Sequence, residues 1–140
     1  MTFEREELVR HTWALLSDRL PALADAFYGR LFDIAPETRS LFHGTDMREQ
    51  HRKFTTMLAG IVARLDLPEQ LVPEVAALGR RHAAYGVADR DYTLVGDALV
   101  WALEHELGEA MTPLARLAWL EAYLIMASLM RRGAHAAAGG

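Results

Sequence analysis

Apolar positions recur every three to four residues along almost the whole chain, which is the period of an amphipathic helix. No stretch alternates β-branched and polar residues between hairpin turns, so an all-α fold is expected. Val9, Trp13, Leu16 and Leu20 form the first stripe. Thr2 is a candidate N-cap before it, and Glu4, Glu6 and Glu7 sit where the helix dipole favours negative charge. Pro21 breaks or restarts the helix, because it cannot donate to the preceding turn. Leu23, Phe27, Leu31 and Ile34 then line a second helix from about Pro21 to Ile34, with Tyr28 beside them. Gly29 inside it costs about 1 kcal/mol relative to alanine. It either admits a close helix neighbour or is simply tolerated.

Pro36 suits the first turn of a short helix, PETRSLF (36–42). Asp46 is placed to cap a third long helix, Met47 to Leu65, whose inward face is Gln50, Phe54, Met57, Leu58, Ile61 and Leu65. Gln50 is the polar exception at the head of that stripe. A fourth helix starts at Pro68 or Glu69 and runs to Gly86. Its face is Leu71, Val75, Leu78 and His82, so the stripe ends in a histidine. A fifth carries Tyr92, Val95, Gly96, Leu99, Leu103 and Leu107 inward and stops at Gly108. Thr112 and Pro113 open a sixth, with Leu117, Leu120, Leu124, Ala127 and Ser128 on its face, Trp119 and Tyr123 adjacent, and Gly133 at its end. The pattern thus predicts six long helices and one short one in a single domain, 1–133, followed by a flexible low-complexity tail, 134–140. Unequal helix lengths and the short PETRSLF element do not suit a four-helix bundle.

Composition narrows the function more than the fold. The residues are 51% hydrophobic, enough for a packed interior in one domain. Net charge is −4 with no basic run, which argues against duplex nucleic acid as a partner. The chain has no cysteine, which excludes disulfides, thiolate metal sites and cysteine nucleophiles. No apolar run reads as membrane-spanning and the N-terminus is too polar for a signal peptide, so a cytoplasmic protein is expected. His82 carries the chemical interest. An inward imidazole needs a partner, since burying an unpaired polar group costs roughly 1–3 kcal/mol. A backbone carbonyl would serve, and so would a metal held in an apolar pocket.

Several segments together resemble the globins, and within them the bacterial single-domain haemoglobins and the globin domain of flavohaemoglobins. They are AFYGRLF (26–32), APETRSLF (35–42), EQHRKF (49–54), GRRHAAYGV (79–87), DYTLVGDAL (91–99) and AWLEAY (118–123). The resemblance implies a globin fold around haem b, with His82 as the proximal iron ligand. It makes Phe42 the ring against the haem plane and Phe54 the bulky residue narrowing the ligand space. Tyr28 and Gln50 become the distal pair, whose O–H and N–H donate to a bound diatomic gas. Arg81 matches a basic position that can pair with a haem propionate. Tyr92 matches a proximal-side tyrosine that works with a glutamate in flavohaemoglobins. Here the corresponding position is Ala134, so that network is incomplete. The sixth ligand of the ferric form is left open among water, Tyr28, Gln50 and His51.

The implied function is reversible binding of oxygen, nitric oxide and carbon monoxide, as storage or delivery, by a monomer or weak homodimer. A nitric oxide dioxygenase is the alternative. It would need a separate reductase, because no G-x-G-x-x-G fingerprint is present. A haem-free, globin-shaped signalling module is the third reading.

Overall fold

The capping residues set the frame. In the computed structural model, which describes residues 1–139, Thr2 Oγ1 accepts from the Arg5 N–H at 3.3 Å and opens α1 (Phe3–Leu15). Pro21 stands in the first turn of α2 (Leu20–Ile34). The PETRSLF element is a 3₁₀ helix, Pro36–Phe42. Asp46 Oδ1 accepts from the Arg48 and Glu49 N–H groups at the head of α3 (Met47–Ala63). Next comes α4 (Pro68–Ala84), whose chain leaves through Gly86 at φ 95°, a backbone conformation suited to glycine. Asp91 Oδ2 accepts from the Ala88 N–H at 2.8 Å as α5 (Asp89–Leu107) begins. After a second 3₁₀ turn, Gly108–Ala110, Thr112 Oγ1 accepts from the Ala115 N–H at 3.1 Å and α6 (Pro113–Gly139) follows. The described residues therefore form an all-α fold, as the periodicity predicts.

Two packed centres hold these helices together. The larger joins Val9 of α1 and Leu16 just after it, Leu23, Phe27 and Leu31 of α2, Phe54 and Leu58 of α3, Leu99 and Leu103 of α5, and Trp119 of α6. Inside it the Trp119 Nε1–H donates to Thr12 Oγ1 at 2.8 Å, and that hydroxyl donates to the Leu8 carbonyl at 2.7 Å. The smaller centre joins Ile61, Leu71, Val75, Tyr92, Met126, Ala127 and Met130. It lies where α4 packs on α6, and that crossing is close. A Cβ on Gly79 would collide with the Met130 carbonyl, and one on Gly133 with the Ala76 carbonyl. A Cβ on Gly96 would sit 2.6 Å from the Tyr123 ring.

Three expectations are corrected. No helix approaches Gly29; it faces solvent, and a Cβ there would meet nothing within 4 Å. The inward face of α6 is Ala115, Ala118, Trp119, Ala122, Met126, Ala127 and Met130, so Ala127 lies inward as expected, whereas Leu117 and Leu124 are 54% and 65% exposed. Close contact selects small residues over leucine on the inner side, so the biggest aliphatics do not mark it. Gly133 does not end α6, because its missing side chain serves the contact with α4. The longer helix also changes one reading: Pro113–Ala136 is long and apolar enough, by length and composition, to cross a membrane. Its inner face is nevertheless packed in the core, and Arg116, Glu121, Arg131 and Arg132 are spaced along it. Of the tail expected at 134–140, Gly140 lies outside the described residues.

Candidate haem site

His82 sits in the last turn of α4 and is half-buried. Helical side chains lean toward the N-terminus, which brings the imidazole over the carbonyl four residues back. Its Nδ1–H donates to the Leu78 carbonyl at 2.8 Å. That bond puts the lone pair on Nε2, which has no hydrogen-bond partner among the described residues. Burial lowers the pKa of the imidazole. The Leu78 bond opposes the shift, and the Arg81 guanidinium adds to it. The neutral, metal-competent form is thereby favoured. Arg81 itself is exposed and has no carboxylate partner among the described residues.

The end of α4 lies against the short 3₁₀ element, since a Cβ on Gly86 would be 3.8 Å from Leu41 Cδ2. Phe42 is the next residue, and its ring meets that of Tyr28 edge-on at 5.5 Å between centroids. Tyr28 is buried on α2, also edge-on to Phe54 at 5.6 Å. Phe54 in turn stacks on Phe27 at 4.3 Å. The Gln50 Nε2–H donates to the Tyr28 hydroxyl oxygen at 3.0 Å. Burial raises the Tyr28 pKa, partly offset by that bond, so the phenol keeps its proton. Among the described residues its O–H donates to no acceptor. Two directed groups, an imidazole nitrogen and a phenol proton, thus remain unmatched among the described residues.

Structure groups Tyr28, Gln50, Phe42 and Phe54 as the sequence expects. Tyr92 belongs elsewhere. It is buried in the smaller centre, beneath the Arg131 guanidinium at 5.1 Å, and its carbonyl accepts from the Tyr123 hydroxyl. Burial raises the Tyr92 pKa. No hydrogen bond joins it to His82 among the described residues; Leu78, whose carbonyl holds His82, packs against that centre. Sequence reasoning missed Leu78 as the histidine's acceptor, although the four-residue spacing was available. It also missed Asp25, which pairs with His51, and it named His51 only as a possible sixth ligand, whereas the ring stacks on Tyr28.

The donor set fits a haem. One neutral imidazole nitrogen suits a metal that brings its other donors in a planar ring. Aromatic rings at Phe42 and Phe54 suit an apolar macrocycle, and a cation at Arg81 suits a carboxylate at its edge.

Comparisons with known proteins agree. The globin family model matches residues 25–130. Neuroglobin from Tetraodon nigroviridis is 30% identical over 91% of this chain and 89% of its own length. The flavohemoprotein of Bacillus subtilis (strain 168) is 30% identical over 86% of this chain, a stretch that is 31% of that larger protein. Among solved structures, an engineered carbene transferase described as a nitric oxide dioxygenase from Rhodothermus marinus superposes with a TM-score of 0.88 at 28% identity. That match covers 99% of this chain and 96% of the other. The helical architecture, the histidine-ended α4 and these similarities make the chain a member of the globin family.

Proposed function

We propose that this globin binds haem b through His82 and takes up oxygen and other diatomic gases reversibly beside Tyr28. Haem, when bound, would supply an iron able to bind a small diatomic gas. The chain's own residues do the rest. His82 presents Nε2 while Leu78 fixes its tautomer, and a strong hydrogen bond at Nδ1 makes the imidazole a better donor. Tyr28 holds a phenol proton ready for a ligand that gathers negative charge. Gln50 donates to the phenol oxygen, which keeps the O–H pointing away from itself and toward the pocket. Phe42 and Phe54 exclude water and restrict the space. Arg81 would pair with a propionate. The single observation that carries this reading is the pair of unmatched groups, His82 Nε2 and the Tyr28 O–H, in one globin fold.

The flavohemoprotein relative and the dioxygenase-named neighbour favour a second reading, in which the oxygenated protein consumes nitric oxide. That activity calls for a separate electron donor. The test combines both readings. The reduced protein is cycled between oxygen and argon and followed by its absorption spectrum, then mixed with nitric oxide with and without an added reductase. Reversible spectral shifts support gas binding, and a protein with no such shifts overturns it. Sustained nitrate formation only with the reductase supports the second reading; a single turnover that no reductase can extend counts against it.

A further inference from the structure

His51 is the only ring found lying parallel to Tyr28 among the described residues. Its imidazole stacks on the phenol at 4.8 Å between centroids with 3° between planes. The other rings around Tyr28 meet it at tilted or edge-on angles: Phe27 at 76°, Phe32 at 38°, Phe42 at 88° and Phe54 at 67°. His51 is in turn tethered from α2. Its Nδ1 lies 3.2 Å from Asp25 Oδ1, and Asp25 precedes Tyr28 by three residues, on the same helix face. Gln50, the neighbour of His51 on α3, makes the hydrogen bond to the phenol oxygen. So α3 grips Tyr28 twice, at the ring face and at the hydroxyl, and α2 anchors one of the two grips.

We propose that His51, held by Asp25, is a positioning residue that fixes the ring plane of Tyr28 and thereby aims its O–H at a bound gas. The inference rests on the gas-binding reading above and deepens it. Edge-on neighbours let a phenol swing about its Cβ–Cγ axis at small cost, whereas a parallel ring opposes that motion over its whole face. The direction of a hydrogen bond decides its strength, because the interaction weakens steeply as it bends. Gln50 alone fixes the distance of the oxygen but not the plane in which its proton lies. His51 supplies that second constraint from outside the ligand space, touching neither gas nor haem in this role.

The test compares His51→Ala, His51→Phe and Tyr28→Phe, with the double variant His51→Ala/Tyr28→Phe. Oxygen dissociation is measured by rapid mixing, and the carbonyl form is examined by its infrared C–O band, which senses the donor beside the ligand. His51→Ala is expected to speed oxygen release about three- to tenfold, as a bent rather than an absent hydrogen bond would. It should also split or shift the C–O band. His51→Phe keeps a flat ring and should restore both the rate and the band. In the Tyr28→Phe background, removing His51 should change the rate no further. Unchanged release and an unchanged band in His51→Ala, while Tyr28→Phe still accelerates release, would overturn the positioning role and leave gas binding intact. An effect of His51→Ala that persists without the phenol would also overturn it. A wild-type protein that takes up no haem would overturn both proposals together.

Discussion

His82 Nδ1 stands 2.8 Å from the carbonyl oxygen of Leu78, one helical turn behind it. This bond joins fold to chemistry. The same helix that buries Leu71 and Val75 carries the imidazole, and the backbone one turn back then decides which nitrogen keeps its lone pair free.

The phenol proton of Tyr28 should control how long oxygen stays. Tyr28→Phe removes one donor to a ligand with charge on it, a bond of roughly 1.5–3 kcal/mol. Oxygen dissociation should therefore accelerate about 10- to 100-fold, read by rapid mixing of the oxygenated protein with carbon monoxide.

The same residue sets a pH window. Burial raises the Tyr28 pKa above its ordinary value of 10.0, so the donor is present throughout the neutral range. The stability linked to this proton is complete below the unfolded phenol's pKa of about 10 and is lost as pH rises through the higher folded value. Oxygen dissociation should stay flat between about pH 6 and 9 and rise only beyond about pH 10. Tyr28→Phe should lack the alkaline rise.

Two glycine substitutions should have opposite signs. Gly79→Ala drives a methyl into the Met130 carbonyl across the α4–α6 crossing, with rigid backbone on both sides. It should destabilise the protein by about 1–3 kcal/mol or more. Gly29→Ala meets nothing and improves helix propensity, so it should stabilise by up to about 1 kcal/mol. Urea unfolding of the two variants side by side checks both.

Thr12→Val leaves the Trp119 N–H buried without its acceptor. The cost should be about 1–3 kcal/mol in unfolding free energy with gas release unchanged, since this bond ties α1 to α6 away from Tyr28.

These residues also mark how far the sequence could be read. Caps and breaks were legible because Thr2, Asp46 and Thr112 bond only to backbone within three residues, and Pro21 and Pro36 act on their own turns. The histidine stripe of α4 was legible for the same reason. The inner face of α6 was not. Its orientation is set by how closely α4 approaches, a fact held jointly by Gly79 and Gly133, 54 positions apart, so leucine spacing pointed outward instead. In the candidate site, periodicity put Gln50 and Phe54 on an inward face, but the roles of Tyr28, Gln50, Phe42 and Phe54 came from the resemblance. The pairing of Asp25 with His51 escaped because it exists only once α2 and α3 have crossed. Ala134 at the expected glutamate position left Tyr92 without its expected partner, and in the fold the Arg131 guanidinium covers that ring.

The most direct measurement concerns the bond from His82 to iron. Apoprotein of the wild type, His82→Gly, and His82→Gly supplied with free imidazole is titrated with haem, and the ferric, ferrous and carbonyl absorption spectra are recorded. The expected result is one haem per chain in the wild type, weak or absent uptake in His82→Gly, and recovery of wild-type spectra when imidazole fills the gap. Haem bound as tightly by His82→Gly as by the wild type, with the same three spectra and no response to imidazole, would contradict it.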